Sequence, residues 1–279
     1  MAADMRAIQP ESLYKLHLEC EERPDGRKLD AARATVVTRG GITTADGSAF
    51  CRSGHTSVLC GIKAEVCTPA TDAPPDRGWV VPNLELPALC HHRFRPGPPS
   101  EAAQTASAQL LQLLDASGAL DRTQLCIEAG QAVWVLYCDL ICLSHDCNVL
   151  DVALLALSAA LTDLRLPSAE WDATEERLRV KPAERTPLKL GPLPLAATLA
   201  VFDKETLVLD PAGDEEMLCE ASVTVAWAGD SMVLLDKTGG CELSLEAMDR
   251  CIALSKKRSL ELKKLLDCCT QSGEVEKDE

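Results

Sequence analysis

A group of carboxylates near position 210 is the part of the sequence best suited to binding a metal ion. Asp210 ends an apolar segment, and Asp214, Glu215 and Glu216 follow it within one short loop. Four carboxylates in seven positions could coordinate a hard cation such as magnesium through oxygen ligands. The same residues could instead form a solvated acidic loop without a ligand, and the sequence leaves both interpretations open.

A short basic loop has the opposite chemistry. Arg93 and Arg95 flank Phe94, directly before a Pro-Gly-Pro-Pro segment at 96–99. Arginine is the residue type suited to clamp a phosphate with two parallel hydrogen bonds. Ordinary exposed arginines are the alternative interpretation. Arg27 is a weaker candidate of the same kind, and it could equally hold the turn in which it lies.

Cysteine and histidine residues between 138 and 147 raise the question of a zinc site. The stretch 133–143 has the pattern of a buried strand, on which Cys138 and Cys142 lie about 13 Å apart. Two ligands of one zinc ion cannot be that distant, because Zn–S bonds measure about 2.3 Å. The sequence also has no C-x-x-C pair. We therefore predict that these cysteines are small core residues, with no metal and no cofactor.

Composition limits the classes of function. The chain has 279 residues, 14 cysteines, 3% aromatic residues and a formal net charge of −15. This charge opposes unspecific attraction to nucleic acid, and no cluster of Phe or Tyr is visible as a platform for bases. The chain start has no apolar signal region, and no apolar run reaches the roughly 18 residues of a membrane span. We therefore predict a soluble protein with free thiols, in which any contact to RNA is local. The N-terminal part carries basic residues at Arg23, Arg27, Lys28, Arg33, Arg39 and Arg52.

The elements of the first half follow from periodicity and turn residues. Residues 1–22 have apolar positions at helical spacing and predict an N-terminal helical arm. Alternating segments and Asp-Gly pairs predict a β-meander over 33–66, followed by a long proline-rich excursion over 68–99. A helix from an N-cap at Ser100 to Gly118, a buried strand at 132–143 and an apolar helix over 150–164 that ends near Pro167 complete this half.

The second half repeats the order of strands followed by a helix. Strands are expected near 195–203, 206–210, 219–227 and 231–236. The last helix starts at Ser244, with an apolar stripe at Leu245, Met248, Ile252, Leu262 and Leu266 and a basic opposite face at Lys256, Lys257, Arg258 and Lys263. The predicted organisation is an α+β protein with a first half at 23–167, a linker at 168–193, a second half at 194–269 and an acidic tail at 270–279.

Three segments in order resemble the RNase PH family. They are residues 23–27 (RPDGR), 45–49 (ADGSA) and 54–58 (GHTSV), and the similarity continues through the strings at 61–65, 82–87, 93–99 and 133–140. This resemblance implies the ribosomal protein S5 domain 2-like architecture, with two similar halves of strands packed against helices. The strings are most similar to the non-catalytic branch of the family, whose eukaryotic members are ring subunits of the RNA exosome core.

The resemblance also decides what is expected of catalysis. Active members use inorganic phosphate to cleave RNA from its free end, and such a reaction needs cationic groups around the phosphate. The stretch 130–134, which matches a phosphate-binding arginine of the active branch, has no basic residue. The loop 145–151 (HDCNVLD) is closer to the inactive branch, although Cys147 and Val152 replace its usual glycine and alanine.

The resemblance therefore implies a protein that is not an enzyme, with Asp210, Asp214 and Glu216 as a degenerate acidic half-site. Without arginines opposite them, these carboxylates would repel phosphate. The alternative is an active phosphate-dependent 3'-to-5' exoribonuclease.

The implied partners are the other RNase PH-like subunits, with which the chain would form a heterodimer within a six-membered ring, the cap subunits and single-stranded RNA. RNA would meet Arg93, Arg95 and Arg27. The implied processes are 3'-to-5' RNA processing and degradation, including rRNA maturation and mRNA turnover, in cytoplasm, nucleus and nucleolus.

Overall fold

A computed structural model of the protein describes residues 9–20, 22–69, 74–172 and 177–275. The first half contains α1 (Pro10–Glu19), β1 (Thr35–Arg39), β2 (Gly47–Ser53), β3 (Thr56–Cys67), β4 (Trp79–Glu85), α2 (Glu101–Ser117), β5 (Cys126–Glu128), β6 (Ala132–Ser144) and α3 (Val149–Asp163). The remainder contains β7 (Arg165–Asp172), β8 (Arg177–Pro187), β9 (Pro194–Phe202), β10 (Thr206–Leu209), α4 (Asp214–Leu218), β11 (Ala221–Ala228), β12 (Ser231–Gly239) and α5 (Leu245–Val275). The predicted α+β class is confirmed.

The first sheet has the order β1-β2-β3-β6-β4, and β5 pairs with β6. The helix α3 is buried along almost its whole length against this sheet. Gly47 permits that contact, because a Cβ atom there would lie 2.8 Å from the Ala160 carbonyl oxygen. The turn between β2 and β3 contains a glycine in the left-handed conformation, Gly54, with φ 58°.

One segment of the first half differs from the sequence-based prediction. The excursion predicted at 68–99 contains β4, which pairs in parallel with β6. Its pairing partner lies more than fifty residues away in the chain, so no hairpin signal marks it. The helix α2 agrees with the prediction: Ser100 Oγ accepts a hydrogen bond from the Ala103 N–H, and Gly118 ends the helix with φ 62°.

The second sheet has the order β10-β9-β11-β12 and packs against α5. The predicted stripe on α5 is correct for Leu262 and Leu266, which are 4% exposed, and wrong for Leu245, which is 85% exposed. The predicted basic face is wrong for Arg258, whose Nη2 donates to Thr35 Oγ1 at 2.6 Å. The helix continues to Val275, and the rest of the predicted acidic tail lies outside the described residues.

A β-hairpin occupies most of the segment predicted as a linker. The strands β7 and β8 pair with each other, and Pro167 lies inside β7 rather than at the end of α3. The segment's charges form cross-strand ion pairs, such as Lys181 with Glu170 at 3.0 Å. The boundaries at 23–167, 168–193 and 194–269 stay predictions.

Cysteines form part of the core of the first sheet. Cys51, Cys60, Cys138 and Cys142 are fully buried on the face that packs against the helices. Burial raises the pKa of Cys51 and Cys138 to about 12, so both thiols stay protonated at neutral pH. Across the described part of the chain, no helix is both long and apolar enough to span a membrane.

Candidate functional site

Asp210 lies at the centre of the candidate site, directly after β10. Its carboxylate is buried beside Arg33 from the first half of the chain. Oδ2 accepts hydrogen bonds from the backbone N–H and Nε of Arg33, both at 2.9 Å, and Oδ1 accepts one from Nη2 at 2.8 Å. Burial alone would raise the pKa of Asp210, but the hydrogen bonds and charge of Arg33 hold it at about 2.

Asn148 connects Asp210 to the start of α3. Its Nδ2 donates to Asp210 Oδ1 at 2.8 Å, and its backbone N–H donates to Glu216 Oε2 at 2.9 Å. Residues Cys147, Asn148 and Asp210 all have positive φ angles, of 59°, 50° and 52°. Backbone strain of this kind persists only where the surrounding contacts hold it. The turn therefore keeps a left-handed backbone although Cys147 replaces the glycine usual in the family.

A second buried ion pair supports the same loop. Arg23 is 2% exposed, and its guanidinium pairs with Glu215, whose Oε1 accepts from Nε at 2.9 Å. The hydroxyl of Tyr14, from α1, also donates to Glu215 Oε1. Arg23 Nη1 and Nη2 additionally donate to the carbonyl oxygens of Leu209 and Asp210, at 2.7 and 2.9 Å. The loop after β10 is thus tied to the N-terminal arm.

The structure corrects two expectations about the acidic residues. The interpretation as a solvated loop is wrong for Asp210 and Glu215, which are 6% and 5% exposed. The expectation that no arginine opposes them is also wrong, because Arg33 pairs with Asp210 and Arg23 pairs with Glu215. The structure brings the predicted residue Glu216 onto Asn148, and it places Asp214 at the start of α4.

The predicted RNA-binding residue Arg27 lies at the edge of this cluster. Its Nε donates to Asp25 Oδ2 at 2.6 Å, and its Nη1 lies 3.8 Å from Asp210 Oδ2. It lines a cleft of about 500 Å³ together with His55, Asp146 and Asp214. Arg27 therefore holds the turn and also lines a surface cleft, and its contact with RNA stays a prediction.

The stretch 130–134 does not belong to this site. It starts β6, whereas the loop at Asn148 follows the end of that strand. Thirteen residues of strand separate the two positions by roughly 40 Å. The lack of a basic residue at 130–134 therefore gives no information about the charge around Asp210, and that part of the sequence-based argument is wrong.

The second predicted site, at Arg93 and Arg95, lies on an exposed loop that also reaches the end of β6. Cys90 accepts a hydrogen bond through its carbonyl oxygen from the His145 N–H at 3.1 Å. Phe94 packs against the core cluster, whereas the arginines on either side of it are exposed. Among the described residues, neither guanidinium has an ion pair or a hydrogen bond, so both are available to a ligand. The loop borders a cleft of about 600 Å³.

His145 lies between the two sites. It follows β6 directly, and its ring centroid is 5.2 Å from that of Phe94. Burial lowers the pKa of His145, while the negative charge of Glu216 opposes this and the positive charge of Arg93 adds to it. The basic loop and the acidic cluster are thus close enough for one imidazole to experience both. The described residues contain no group of three or more metal-ligating side chains at either site.

Sequence reasoning did not find Arg33 as the partner of Asp210. The two residues are 177 positions apart, and they meet because the two halves of the chain pack together. Arg33 is one of six basic residues between positions 23 and 52, and nothing in its sequence neighbourhood distinguishes it from the other five. Only its position directly before the β-meander could have indicated a structural role.

Fold and site define a class of protein with two RNase PH-like halves joined through a buried Arg–Asp pair. The family model "3' exoribonuclease family, domain 1" matches residues 31–167, and "domain 2" of the same family matches residues 193–258. The chain belongs to this 3' exoribonuclease (RNase PH) family.

Relatives and solved structures agree with this assignment. "Exosome complex component rrp43" of Schizosaccharomyces pombe is 37% identical over 91% of this chain and 93% of the relative. "Exosome complex component Rrp42" of Methanocella arvoryzae is 34% identical, over 96% of this chain and 99% of the relative. A chain of the structure described as "archaeoglobus fulgidus exosome with RNA bound to the active site" is similar with a TM-score of 0.81 and 29% identity, over 91% of this chain and 96% of that one.

Proposed function

We propose that the protein is a non-catalytic subunit of the RNA exosome ring, which acts as scaffold and as part of the RNA channel. It would contribute to 3'-to-5' RNA processing and degradation, including rRNA maturation and mRNA turnover. The observation that carries the absence of catalysis is the contact of Glu216 Oε2 with the Asn148 N–H at 2.9 Å. A carboxylate of the protein itself thereby occupies the start of α3.

This contact matters because the start of a helix is where an anion such as phosphate binds most readily. Its N–H groups are unpaired, and the helix dipole favours negative charge there. Phosphorolysis needs inorganic phosphate next to an RNA chain that is already anionic. Glu216 would have to leave before phosphate could bind, and its own charge repels a second anion.

Asp210 supports the same proposal from the opposite side. Both of its carboxylate oxygens accept hydrogen bonds, from Arg33 and from Asn148, and the side chain is buried. A magnesium ion would have to displace Arg33 to reach it. Since Arg33 is 7% exposed and pairs with Asp210 at 2.8 Å, we infer that the acidic half-site works as a structural ion pair.

RNA contact is proposed for the exposed basic loop. Arg93 and Arg95 are exposed cations in a protein of strongly negative net charge, so they attract a single strand locally. Arg27 is proposed as a weaker contact because Asp25 and Asp210 already compensate its charge. The proposed partners are RNase PH-like ring subunits, cap subunits and single-stranded RNA, in nucleus, nucleolus and cytoplasm.

Release of nucleoside diphosphates tests the proposal. The purified chain, together with its ring partner, is incubated with single-stranded RNA, inorganic phosphate and magnesium. We expect no phosphate-dependent release above the blank without protein. An active archaeal exosome serves as the positive control. Robust release that disappears in the Asp210→Asn variant would instead establish the alternative, an active exoribonuclease.

Assembly tests the scaffold role separately. β12 forms one edge of the second sheet and, within the described residues, pairs only with β11. An uncovered edge promotes self-association, and sheets can continue across subunits. We therefore expect aggregation or self-association of the chain expressed alone, and a soluble one-to-one heterodimer when it is co-expressed with an RNase PH-like partner. A stable monomer that binds no ring subunit would contradict the proposal.

A further inference from the structure

Four rings form a continuous cluster at the base of the basic loop. The centroids of His91 and His92 are 4.1 Å apart, and His91 lies 5.8 Å from His145 and 6.5 Å from Phe94. Phe94 and His145 are 5.2 Å apart. No local pattern indicates such a cluster, because three of the rings are imidazoles and His145 is more than fifty positions from the others.

The rings of this cluster become more exposed from the core towards the surface. Phe94 packs against the hydrophobic core, and His145 and His91 are partly buried above it. His92 is exposed, although its ring has the shortest centroid distance in the cluster. The Arg93 backbone N–H donates to His91 Nδ1 at 3.3 Å and holds the middle ring in place. The outermost ring therefore rests on a fixed support and leaves its outer surface open.

Core packing does not account for the exposed ring. His92 buries little of its own surface, and a histidine ring on a surface loop loses rotational freedom when it is held against another ring. The same loop carries the guanidinium groups of Arg93 and Arg95 on either side of the anchored Phe94, and neither has a partner among the residues that the structure describes. A fixed ring next to two such cations is a combination suited to single-stranded nucleic acid, since bases stack on rings and phosphates bind cations.

We propose that the ring of His92, supported by His91 and Phe94, stacks on one base of a single-stranded RNA whose backbone contacts Arg93 and Arg95. The ligand class is single-stranded RNA with intact bases, and no particular base is required because every base has a stacking face. This inference rests on the proposed RNA contact of the loop and adds to it a stacking site for one base.

The test compares two oligonucleotides on the assembled complex. One is a short uridine RNA, and the other is a ribose-phosphate chain of the same length without bases. The variants are His92→Ala, which removes the ring, His92→Phe, which keeps a ring, and Arg93→Ala, which removes a phosphate contact. Affinity is measured by fluorescence anisotropy at fixed salt, and crosslinking of thiouridine-labelled RNA locates the contact on the chain.

We expect His92→Ala to weaken binding of the uridine RNA about tenfold, because stacking contributes about 1–3 kcal/mol per base. Binding of the abasic chain should not change, and His92→Phe should restore the affinity for RNA. Arg93→Ala should weaken both ligands.

Equal binding of uridine RNA by the native complex and by His92→Ala would overturn the stacking inference while leaving the arginine contact intact. Absence of any crosslink at the loop in the native complex, with no effect of Arg93→Ala, would overturn both. A release of nucleoside diphosphates would overturn only the non-catalytic role.

Discussion

Two pairs of arginines on this protein have opposite roles. Arg23 and Arg33 are buried, and carboxylates from the second half of the chain neutralise both. Arg93 and Arg95 are exposed and, within the described part of the chain, have no acidic partner. The first pair therefore joins the two halves, whereas the second pair can bind an anion from outside. Residue type alone does not separate structure from recognition; burial and the nearest carboxylate do.

The largest difference between the pairs should appear in stability. Arg33→Ala removes the guanidinium that pairs with the buried carboxylate of Asp210 and leaves the backbone N–H of residue 33 and Asn148 as its close donors. Loss of the buried charge partner should lower the free energy of unfolding by about 3–5 kcal/mol. Urea unfolding measures this, with Arg95→Ala as the matched control because that side chain is exposed. We expect the control to stay within about 0.5 kcal/mol of the native protein. Equal stability of both variants would remove the distinction between the two pairs.

The buried pair should also make stability depend on acid. The pKa of Asp210 is about 2 in the folded protein and near its ordinary value of 3.8 when unfolded, so its contribution is complete above about pH 5. This contribution, about 2 kcal/mol, is lost as the pH falls from about 4 to about 2, where the unfolded state binds the additional proton.

Unfolding free energies between pH 2 and pH 7 would show this loss, and Asp210→Asn should flatten that part of the curve. The Arg93→Ala variant serves as the reference, since no acidic group pairs with that loop in the described residues. A native curve parallel to that of Asp210→Asn below pH 4 would show that the ion pair does not supply this pH dependence.

The exposed pair should determine RNA affinity and its salt dependence. Arg93→Ala combined with Arg95→Ala removes two phosphate contacts, and binding of single-stranded RNA to the complex should weaken about tenfold. The slope of the logarithm of affinity against the logarithm of salt concentration should fall by about 1.4. Lys257→Ala combined with Lys263→Ala on α5 is a control of the same charge change. If that control lowered affinity equally, the effect would be one of net charge and not of the loop.

The smallest expected effect concerns Glu216. Glu216→Gln keeps an oxygen that can accept the Asn148 N–H and should cost less than about 0.5 kcal/mol, whereas Glu216→Ala leaves the start of α3 without its acceptor and should cost about 1 kcal/mol. Thermal unfolding of the two variants measures the difference. Titration of Glu216→Ala with inorganic phosphate adds a second readout, and stabilisation by phosphate there but not in the native protein would support occupation of an anion site.

Local signals in the sequence predicted much of the fold. The cap at Ser100, the end of α2 at Gly118 and the strands of the second half depend on neighbouring residues, and the structure confirms them. β4 and the hairpin of β7 and β8 were not predicted. Prolines interrupt both segments, and the pairing of β4 with β6 leaves no trace in either strand alone.

The candidate site was less predictable for the same reason. The carboxylates were visible as a local group, but their partners Arg23 and Arg33 come from the other half of the chain. The sequence leaves the choice between a solvated loop and a metal site open, and no local signal indicates a buried ion pair. Contacts between distant segments decide the chemistry of these side chains, and periodicity does not contain that information.

The protonated thiols inside the first sheet can report local opening of its strands, because they react only when they become exposed. Cys51, Cys60, Cys138 and Cys142 are inaccessible and poorly nucleophilic as long as the sheet stays closed over α3, whereas Cys20, Cys67 and Cys268 are exposed. A thiol reagent should modify the three exposed thiols within the dead time and the interior group only as fast as the strands separate. Labelling rates of each cysteine, measured with and without a ring partner, would then show how much assembly slows the local opening of each strand.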